Sequence, residues 1–407
     1  MVEWSWVEFR ELAASDPASF AIGPFGSKIT KENYVSKGVP VVRGVNLARG
    51  IFVDDEFVYI SDEKADELAS STLAPGDLVF THRGTIGQVS MIPRRPRFDR
   101  YILSSSQVKA RLNQEKAVPE FYYYWFRSPF GQHSLLSNAS TVGVPGIASP
   151  LSTIRSIKVP YPPIEVQRGI AEILGALDEK IAANEQTANS CDKLAEALLD
   201  QLLAEDPEVK KISLGEVAKV NPRTVKPVAG GYLRYIDISC VSAGRIDWPE
   251  RLSWDKAPGR ARRGVSPGDT IWSTVRPGRR SYALILDKDP EIVVSTGFVV
   301  LTPVKVGPAF LYEIVKRDAF VQYLENVAEG SAYPAVRPER FASAIIPLPS
   351  AYTLQRFEDA VMPLRSRAHA ADQESRTLAQ LRDTLLPKLM SGELRVRDAE
   401  KAVEEAL

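Results

Sequence analysis

The chain has 407 residues, 44% of them apolar and 25% charged, which is enough to bury substantial cores and predicts two or three domains. Its 51 basic and 51 acidic residues cancel, and its two cysteines, Cys191 and Cys240, form no CxxC pattern, which argues against a disulfide scaffold or a zinc site. No run of about 18 apolar residues occurs, and the N-terminus lacks the pattern of a signal peptide, so we expect a cytoplasmic protein that does not enter a membrane.

The charges are unevenly distributed along the chain. Residues 1–162 hold 18 Lys and Arg against 16 Asp and Glu, and residues 208–349 hold 21 against 15. Residues 163–207, between them, hold 3 against 10. A DNA-binding protein needs positive potential over its footprint rather than a high total charge. The two basic segments are therefore compatible with DNA binding, although they do not require it.

Two segments of the chain share one order of sequence features. Each contains a β-like run, a Pro-Gly-Asp turn that leads into a strand, a Ser-rich strand, a helix with aromatic residues and a Gly/Pro-rich loop. The turn and strand read "APGDLVFTHRGTIGQVSMI" from Ala74 and "SPGDTIWSTVRPGRRSYALI" from Ser266. This spacing predicts a twisted, mostly antiparallel sheet with a few helices in each segment, and so an α+β fold. Because the order agrees while the residues differ, we expect one fold that recognises two different things.

Each segment ends in the same kind of phrase. The first reads "IKVPYPPIEVQRGIAEIL" from Ile157, and the second reads "IIPLPSAYTLQRFEDAV" from Ile345. Both contain Pro-x-Pro, a spacer, Gln-Arg and the start of an amphipathic helix. The repeat predicts that the chain consists of two similar halves.

A long helical pattern follows each Pro-x-Pro. Residues that are mostly apolar or small recur at alternating spacings of four and three from Ile170 to Leu202 and from Phe357 to Leu389, which predicts coiled-coil packing. At about 1.5 Å per residue, each helix would be roughly 50–60 Å long, too long to cap only its own segment. We therefore expect the two helices to pair antiparallel with each other. The residues predicted to form the seam are Ile170, Leu174, Leu177, Leu198, Val361, Leu364, Leu378 and Leu385.

Base recognition uses hydrogen-bonding side chains that a fold holds in a groove, such as Arg for guanine, Asn or Gln for adenine and carboxylates for cytosine. The residues that we predict to contact bases are Arg43, Asn46, His82, Arg83, Thr85, Tyr235, Asp237, Arg276, Arg279 and Arg280. Phosphate contacts position a protein without specifying sequence, and the candidates are Arg94, Arg95, Arg97, Arg260, Arg262 and Arg263. The alternative is that these side chains form ordinary solvated surfaces. The aromatic run of residues 122–125 could stack on bases, but its helical position favours core packing.

Motifs for catalysis are missing from the sequence. It contains no GxxxxGK[ST] loop for a nucleotide phosphate, and Asn221-Pro222-Arg223 lacks the second proline and the aromatic residue of a methyltransferase loop. The three histidines form no metal-spaced pair, and no catalytic triad can be assembled from spacing. We therefore expect a protein without catalysis, metal or cofactor of its own.

Taken together, these features resemble the specificity subunits of type I restriction–modification systems, the HsdS family. The likeness is carried by the two Pro-x-Pro and Gln-Arg phrases, by "GDLVFTHRGTIG" and "GDTIWSTVRPG", and by the C-terminal "LLPKLMSGELRV". It covers nearly the whole chain and implies two target-recognition domains separated by two long helices in an approximate two-fold repeat. In these terms the chain divides into target-recognition domains at 1–162 and 207–349, spacer helices at 163–206 and 350–395, and a C-terminal tail at 396–407.

The resemblance implies a non-catalytic subunit that recognises a bipartite, gapped DNA target in a system of DNA methylation and phage defence. The implied partners are double-stranded DNA, two methyltransferase subunits and two restriction subunits. S-adenosylmethionine, ATP and Mg²⁺ are expected on those subunits rather than on this chain. Two alternatives stay open: an enzyme in its own right, such as a fused restriction–modification protein, and a coiled-coil scaffold that does not contact DNA.

Overall fold

The computed structural model describes residues 4–50, 52–140, 143–330 and 332–405. It contains both α-helices and β-sheets, so the predicted α+β class is confirmed. Residues 1–182 together with 376–407 form a first compact unit, and residues 183–375 form a second. Among the described residues, no helix combines the length and apolar character needed to cross a membrane.

The first unit contains the N-terminal strands and the start of one long helix. Its strands are β1 (Ser5–Glu8), β2 (Phe20–Ile22), β3 (Tyr34–Val35), β4 (Val39–Val42), β5 (Val58–Ile60), β6 (Thr72–Leu73), β7 (Leu78–Thr81), β8 (Val89–Met91), β9 (Tyr101–Leu103), β10 (Gln107–Ala110), β11 (Ala139–Ser140), β12 (Gly146–Ile147) and β13 (Lys158–Tyr161). Its helices are α1 (Asp62–Glu67), α2 (Pro119–Arg127), α3 (Pro129–Leu136), α4 (Pro150–Ser156) and the first part of α5 (Ile164–Glu205).

The second unit begins within α5 and ends within a second long helix. Its strands are β14 (Lys210–Ser213), β15 (Ala218–Val220), β16 (Tyr232–Ile236), β17 (Val241–Ser242), β18 (Arg245–Ile246), β19 (Arg251–Ser253), β20 (Ala261–Gly264), β21 (Thr270–Ser273), β22 (Tyr282–Leu284), β23 (Ile292–Ser295), β24 (Phe298–Pro303) and β25 (Ile345–Leu348). Its helices are α6 (Pro308–Lys316), α7 (Asp318–Val327), α8 (Pro338–Ala342) and the first part of α9 (Ala351–Met390). The end of α9 and α10 (Val396–Glu404) belong to the first unit, and α10 lies within the segment assigned above to a tail.

The two units repeat one strand order. An antiparallel sheet has the order β2-β10-β7-β8 in the first unit and β15-β24-β21-β22 in the second. A second large sheet has the order β3-β5-β4-β9-β6 in the first unit and β19-β16-β23-β20 in the second, and one interior pair in each, β4–β9 or β16–β23, is parallel. The repeat and the mostly antiparallel pairing predicted from the sequence are therefore present.

Aromatic residues fill the core between the antiparallel sheet and the helices. In the first unit, Phe126 of α2 packs edge to face against Phe80 of β7 and against Phe9, with ring centroids 4.8 and 4.9 Å apart. In the second unit, Trp272 of β21 takes the place of Phe80, and its Nε1 donates a hydrogen bond to the Val315 carbonyl at 3.1 Å. The aromatic run of residues 122–125 is buried, as its helical position favoured.

The long helices α5 and α9 pack together through apolar seams. In the first unit, the predicted seam residues Ile170, Leu174, Leu177, Leu378 and Leu385 are buried in one cluster. In the second unit, Val361 is buried with Ala195 and Leu199, whereas Leu198 and Leu364 are half-buried at the edge of that cluster. Residues later in α5 meet residues earlier in α9, because Asn184 donates to Glu374 at 2.8 Å and Arg365 donates to Asp192 at 2.7 Å. The two helices are therefore antiparallel.

Polar contacts fix α2 on the helix pair in the first unit. Asp178 of α5 accepts hydrogen bonds from the Tyr124 hydroxyl at 2.9 Å and from Arg382 of α9 at 2.6 Å. Arg127 lies 3.5 Å from the same carboxylate. We call these four residues the first seat. Its helix-pair side presents a carboxylate to α2.

The second unit has a corresponding seat that contains one more charged residue. Glu313 and Lys316 occupy in α6 the positions that Tyr124 and Arg127 occupy in α2, since both helices begin with a proline and contain nine residues. Glu313 is fully buried and forms ion pairs with Lys316, at 2.9 Å, and with Arg365 of α9. Asp192 of α5 accepts hydrogen bonds from both of these cations. We call Asp192, Glu313, Lys316 and Arg365 the second seat. As in the first seat, α5 supplies a carboxylate and α9 a guanidinium, and the two seats differ in that Glu313 stands where the first has Tyr124.

Candidate nucleic-acid interface

Three loops meet where β7 of the first unit ends. The His82 amide donates to the Ser106 carbonyl, the Gly84 amide to Pro145 and the Ile147 amide to His82, each at 2.9 Å. The loop after β7 is thus joined to the start of β10 and to the Gly/Pro-rich loop before α4. We call this arrangement the first junction.

The second unit repeats these three hydrogen bonds. The Thr274 amide donates to the Gly297 carbonyl at 2.9 Å, the Arg276 amide to Pro334 at 2.7 Å and the Val336 amide to Thr274 at 2.8 Å. We call this arrangement the second junction. The backbone scaffold is the same in both units, but Arg276 stands where the first junction has Gly84.

A buried aspartate anchors the strand that leads to each junction. Asp77 accepts from the Ala74 amide at 2.8 Å, and Asp269 accepts from the Ser266 amide at 2.7 Å, which closes the predicted Pro-Gly-Asp turn in each unit. Each carboxylate is about 1% exposed and is paired with an arginine. The arginines come from different places in the two units, Arg111 after β10 and Arg223 after β15. The two equivalent carboxylates are therefore neutralised by arginines from different segments of the chain.

The predicted base-contacting residues of the first unit differ in how available they are. Arg83 and Thr85 are exposed at the first junction. His82 is 8% exposed, its Nε2 lies 3.2 Å from the Ser105 carbonyl, and burial lowers its pKa, which keeps the imidazole neutral at pH 7. Asn46 is fully buried, and Arg43 is half-buried with its Nη2 3.1 Å from the Glu56 carbonyl.

The Asn46 amide is used inside its own loop. Its Oδ1 accepts from the Arg43 amide at 2.9 Å, and its Nδ2 donates to the carbonyls of Val53 and Asp55 at 3.1 and 2.8 Å. A buried amide with these partners shapes the loop between β4 and β5. It is therefore not among the side chains that the first unit exposes.

The second unit brings its arginines together at the second junction. Arg276 and Arg280 have left-handed backbones, with φ of 50° and 55°. Arg279 is exposed, and the structure records no ion pair for it within the described ranges. Arg280 forms an ion pair with Asp318, which also raises the pKa of the guanidinium.

The remaining two predicted residues of the second unit lie on or just after β16. Tyr235 is buried. The Asp237 carboxylate accepts from the Ser239 amide at 2.8 Å and caps a short turn. The next residue, Ile238, packs against Gly297 of the second junction. Asp237 is therefore next to the junction but engaged locally.

The predicted phosphate contacts fall on elements that are not equivalent in the two units. After β8, Arg94 pairs with Glu120, and Arg97 lies 3.5 Å from Asp55. Arg95 in the same segment and Arg260 before β20 are exposed, and no ion pair to either is recorded in the part of the chain that the structure describes. Next to Arg260, Arg262 donates to the Ala261 carbonyl, and Arg263 is half-buried.

Sequence reasoning missed Tyr333. Its side chain is 71% exposed, and its ring centroid lies 4.5 Å from Cζ of Arg276. The first junction has the aliphatic Val144, 62% exposed, directly before its proline where the second has Tyr333. Aligning Val-Pro of "VGVPGIA" with Tyr-Pro of "GSAYPAV" would have identified it. Over the described ranges, no group of His, Cys, Asp and Glu has the arrangement of a metal site.

Comparison with known proteins shows which proteins this chain is similar to. Residues 26–191 match the family model described as the type I restriction modification DNA specificity domain. The chain is 22% identical to the type I restriction enzyme MjaVIII specificity subunit of Methanocaldococcus jannaschii, over 73% of this chain and 75% of that protein. The MjaIX specificity subunit of the same organism is 23% identical over 84% of this chain and 85% of its own length.

A solved structure supports the fold. The crystal structure of a type I restriction–modification system S subunit from M. genitalium aligns with a TM-score of 0.62 and 16% identity, covering 95% of this chain and 96% of that one. Residues 26–191 thus resemble the DNA specificity domain of type I restriction–modification systems. Over most of its length the chain is a relative of the specificity subunits of these systems, so the resemblance found in the sequence is confirmed.

Proposed function

We propose that this chain is the non-catalytic DNA-recognition subunit of a type I restriction–modification complex, in which each unit recognises one half of a bipartite, gapped target. The observation that carries the proposal is the pair of junctions: one set of three backbone hydrogen bonds occurs in both units and displays different side chains. A shared scaffold with different exposed residues is suited to two unlike half-sites on DNA.

This chain acts on DNA in a complex with other subunits, and the composition of that complex is part of the proposal. We propose that two methyltransferase subunits and two restriction subunits assemble on this chain in the cytoplasm. S-adenosylmethionine, ATP and Mg²⁺ then belong to those subunits. The relatives named above are specificity subunits of type I enzymes, and this supports a role in recognition rather than in catalysis.

The test is to map methylated bases in the genome of a host that expresses this chain with its cognate methyltransferase. We expect a gapped, asymmetric motif that disappears when this chain is omitted. Exchange of residues 1–162 for the corresponding block of a relative should change one half-site and leave the other intact. A short continuous motif, or a motif that persists without this chain, would contradict the proposal.

A further inference from the structure

Arg276 sits at a backbone position that favours glycine. The equivalent residue of the first junction, Gly84, has φ of 88°, and Arg276 has φ of 50°. A left-handed backbone is unfavourable for a residue with a Cβ atom, and residues kept in it cluster at functional sites. The strain is observed here at a point where the first junction has no side chain and the second has a long cationic one.

The Arg276 guanidinium is held in place without a carboxylate partner. Cζ lies 4.5 Å from the Tyr333 ring centroid, well inside the range of cation–π attraction of about 6 Å. Nη2 lies 3.4 Å from the Ala332 carbonyl. No ion pair involving Arg276 is recorded among the described residues. The remaining N–H groups of the Arg276 guanidinium are therefore held in a defined orientation and can still donate hydrogen bonds.

The neighbouring arginines show what sets Arg276 apart. Arg280 is engaged by Asp318, whereas Arg279 is exposed, and no hydrogen bond or ion pair of its side chain is recorded within the described ranges. A guanidinium that is fixed before binding loses less rotamer freedom when it forms a pair of hydrogen bonds. Arg276 is therefore the arginine of this turn that is suited to two simultaneous, directional hydrogen bonds.

We propose that Arg276, positioned by Tyr333, recognises a guanine in the half-site of the second unit, donating to O6 and N7 in the major groove. This rests on the proposed function and names one of its specificity determinants. Bidentate pairing of arginine with guanine is the commonest specific contact to a base in the major groove. At the equivalent places the first junction has Gly84 and Val144, and neither side chain can form such a contact.

Two substitutions at position 276 test the contact. Arg276→Gly removes the side chain and suits the left-handed backbone, so folding is preserved. Arg276→Lys keeps the charge but loses the planar fork. In the complex with the methyltransferase, we expect the wild-type motif to contain G in the second half-site. In both variants the motif should accept other bases at that position. The preference for G there, measured by competition binding, should fall about 10- to 100-fold. The unchanged first half-site is the internal control.

Tyr333 is tested as a positioning residue by a matched pair of variants. Tyr333→Phe retains the ring and should retain the motif, whereas Tyr333→Ala should relax the same base position as Arg276→Gly, to a smaller extent. Arg337→Ala, at an exposed arginine just after the same Gly/Pro-rich loop, is the control for a loss of positive charge in this unit. It should leave the motif unchanged.

The outcomes separate this inference from the proposed function. A second half-site without a G·C pair, or an unchanged motif in Arg276→Gly, overturns the inference while the bipartite motif still stands. Equal weakening of all sequences by Arg276→Gly also overturns it, because it would mark a phosphate contact. If the host that expresses the wild-type chain showed no bipartite motif, the proposed function itself would instead be overturned.

Discussion

The second seat allows a test of how α6 is held against the long helices α5 and α9. We consider Arg365→Met, which removes the guanidinium of α9 and keeps an unbranched side chain of similar length. Glu313 is fully buried, and its pKa is already raised by burial, against which Arg365 and Lys316 act. The substitution leaves this carboxylate with Lys316 as its remaining partner, at 2.9 Å.

The expected destabilisation follows from the burial of the pair. Breaking a buried ion pair by removing one partner costs roughly 3–5 kcal/mol, because the other charge remains in a medium of low dielectric constant. Since Lys316 remains, we expect the lower value, about 3 kcal/mol. For a unit of this size the melting temperature would fall by roughly 6–12 °C. The double variant Glu313→Leu/Arg365→Met removes both charges and should recover most of the loss.

The assay is denaturant unfolding of the full-length chain, with hydrogen exchange of α6 reporting on the second unit. Arg337→Met, which removes an exposed ion pair with Glu329, is the matched control and should change stability by less than about 0.5 kcal/mol. Without Arg365 the folded-state pKa of Glu313 rises further above its unfolded value, so the loss should shrink as the pH falls through that raised pKa. A loss below about 1 kcal/mol, or one independent of pH, would refute the reasoning.

Three further predictions concern the first unit. Leu177→Asp places a carboxylate at a fully buried seam position and should cost several kcal/mol in thermal unfolding, whereas the exposed neighbour change Ala176→Asp should be nearly neutral. Burial lowers the pKa of His82 from 6.5, so the unfolded state binds the proton more readily; stability should fall as the pH drops below about 6.5, and His82→Gln should lack this dependence. Asp77→Ala leaves Arg111 without its most buried partner and should cost roughly 3 kcal/mol in denaturant unfolding.

Each of these has an outcome that contradicts it. Equal melting temperatures for Leu177→Asp and Ala176→Asp would mean that burial of Leu177 in the seam does not stabilise the fold. An identical pH dependence in wild type and His82→Gln would mean that the imidazole titrates normally. A loss below about 1 kcal/mol for Asp77→Ala would mean that the turn does not depend on its carboxylate.

The sequence predicted those features that local patterns determine. The 4-3 spacing identified both long helices, because this periodicity places apolar residues on one face of a helix. It was less accurate near the end of α5, where Leu199 rather than Leu198 is buried. An α-helix has 3.6 residues per turn, so a face assigned by a 3.5-residue repeat drifts along the helix. The packing of the rest of the second unit against α5 then determines whether Leu198 or Leu199 is buried.

The candidate interface was predicted only in part, because side-chain availability depends on distant segments. Asn46 looked suited to adenine, but carbonyls seven and nine residues later use its amide. Arg280 looked equivalent to Arg276, but Asp318 of α7 engages it. Tyr333 was not selected, since its role depends on an arginine more than fifty residues earlier in the chain. None of these contacts leaves a periodic trace in the sequence.

The composition of the two seats bears on how such a chain can be exchanged in pieces. In each unit α5 offers a carboxylate, α9 offers an arginine, and the short helix places a cation against the carboxylate. The helix that carries Glu313 adds one buried negative charge to this arrangement, and Arg365 and Lys316 neutralise it. A crossover that carries α6 together with its stretch of α9 keeps these partners together, so chimeras that acquire a new half-site in one step are expected to join within the long helices.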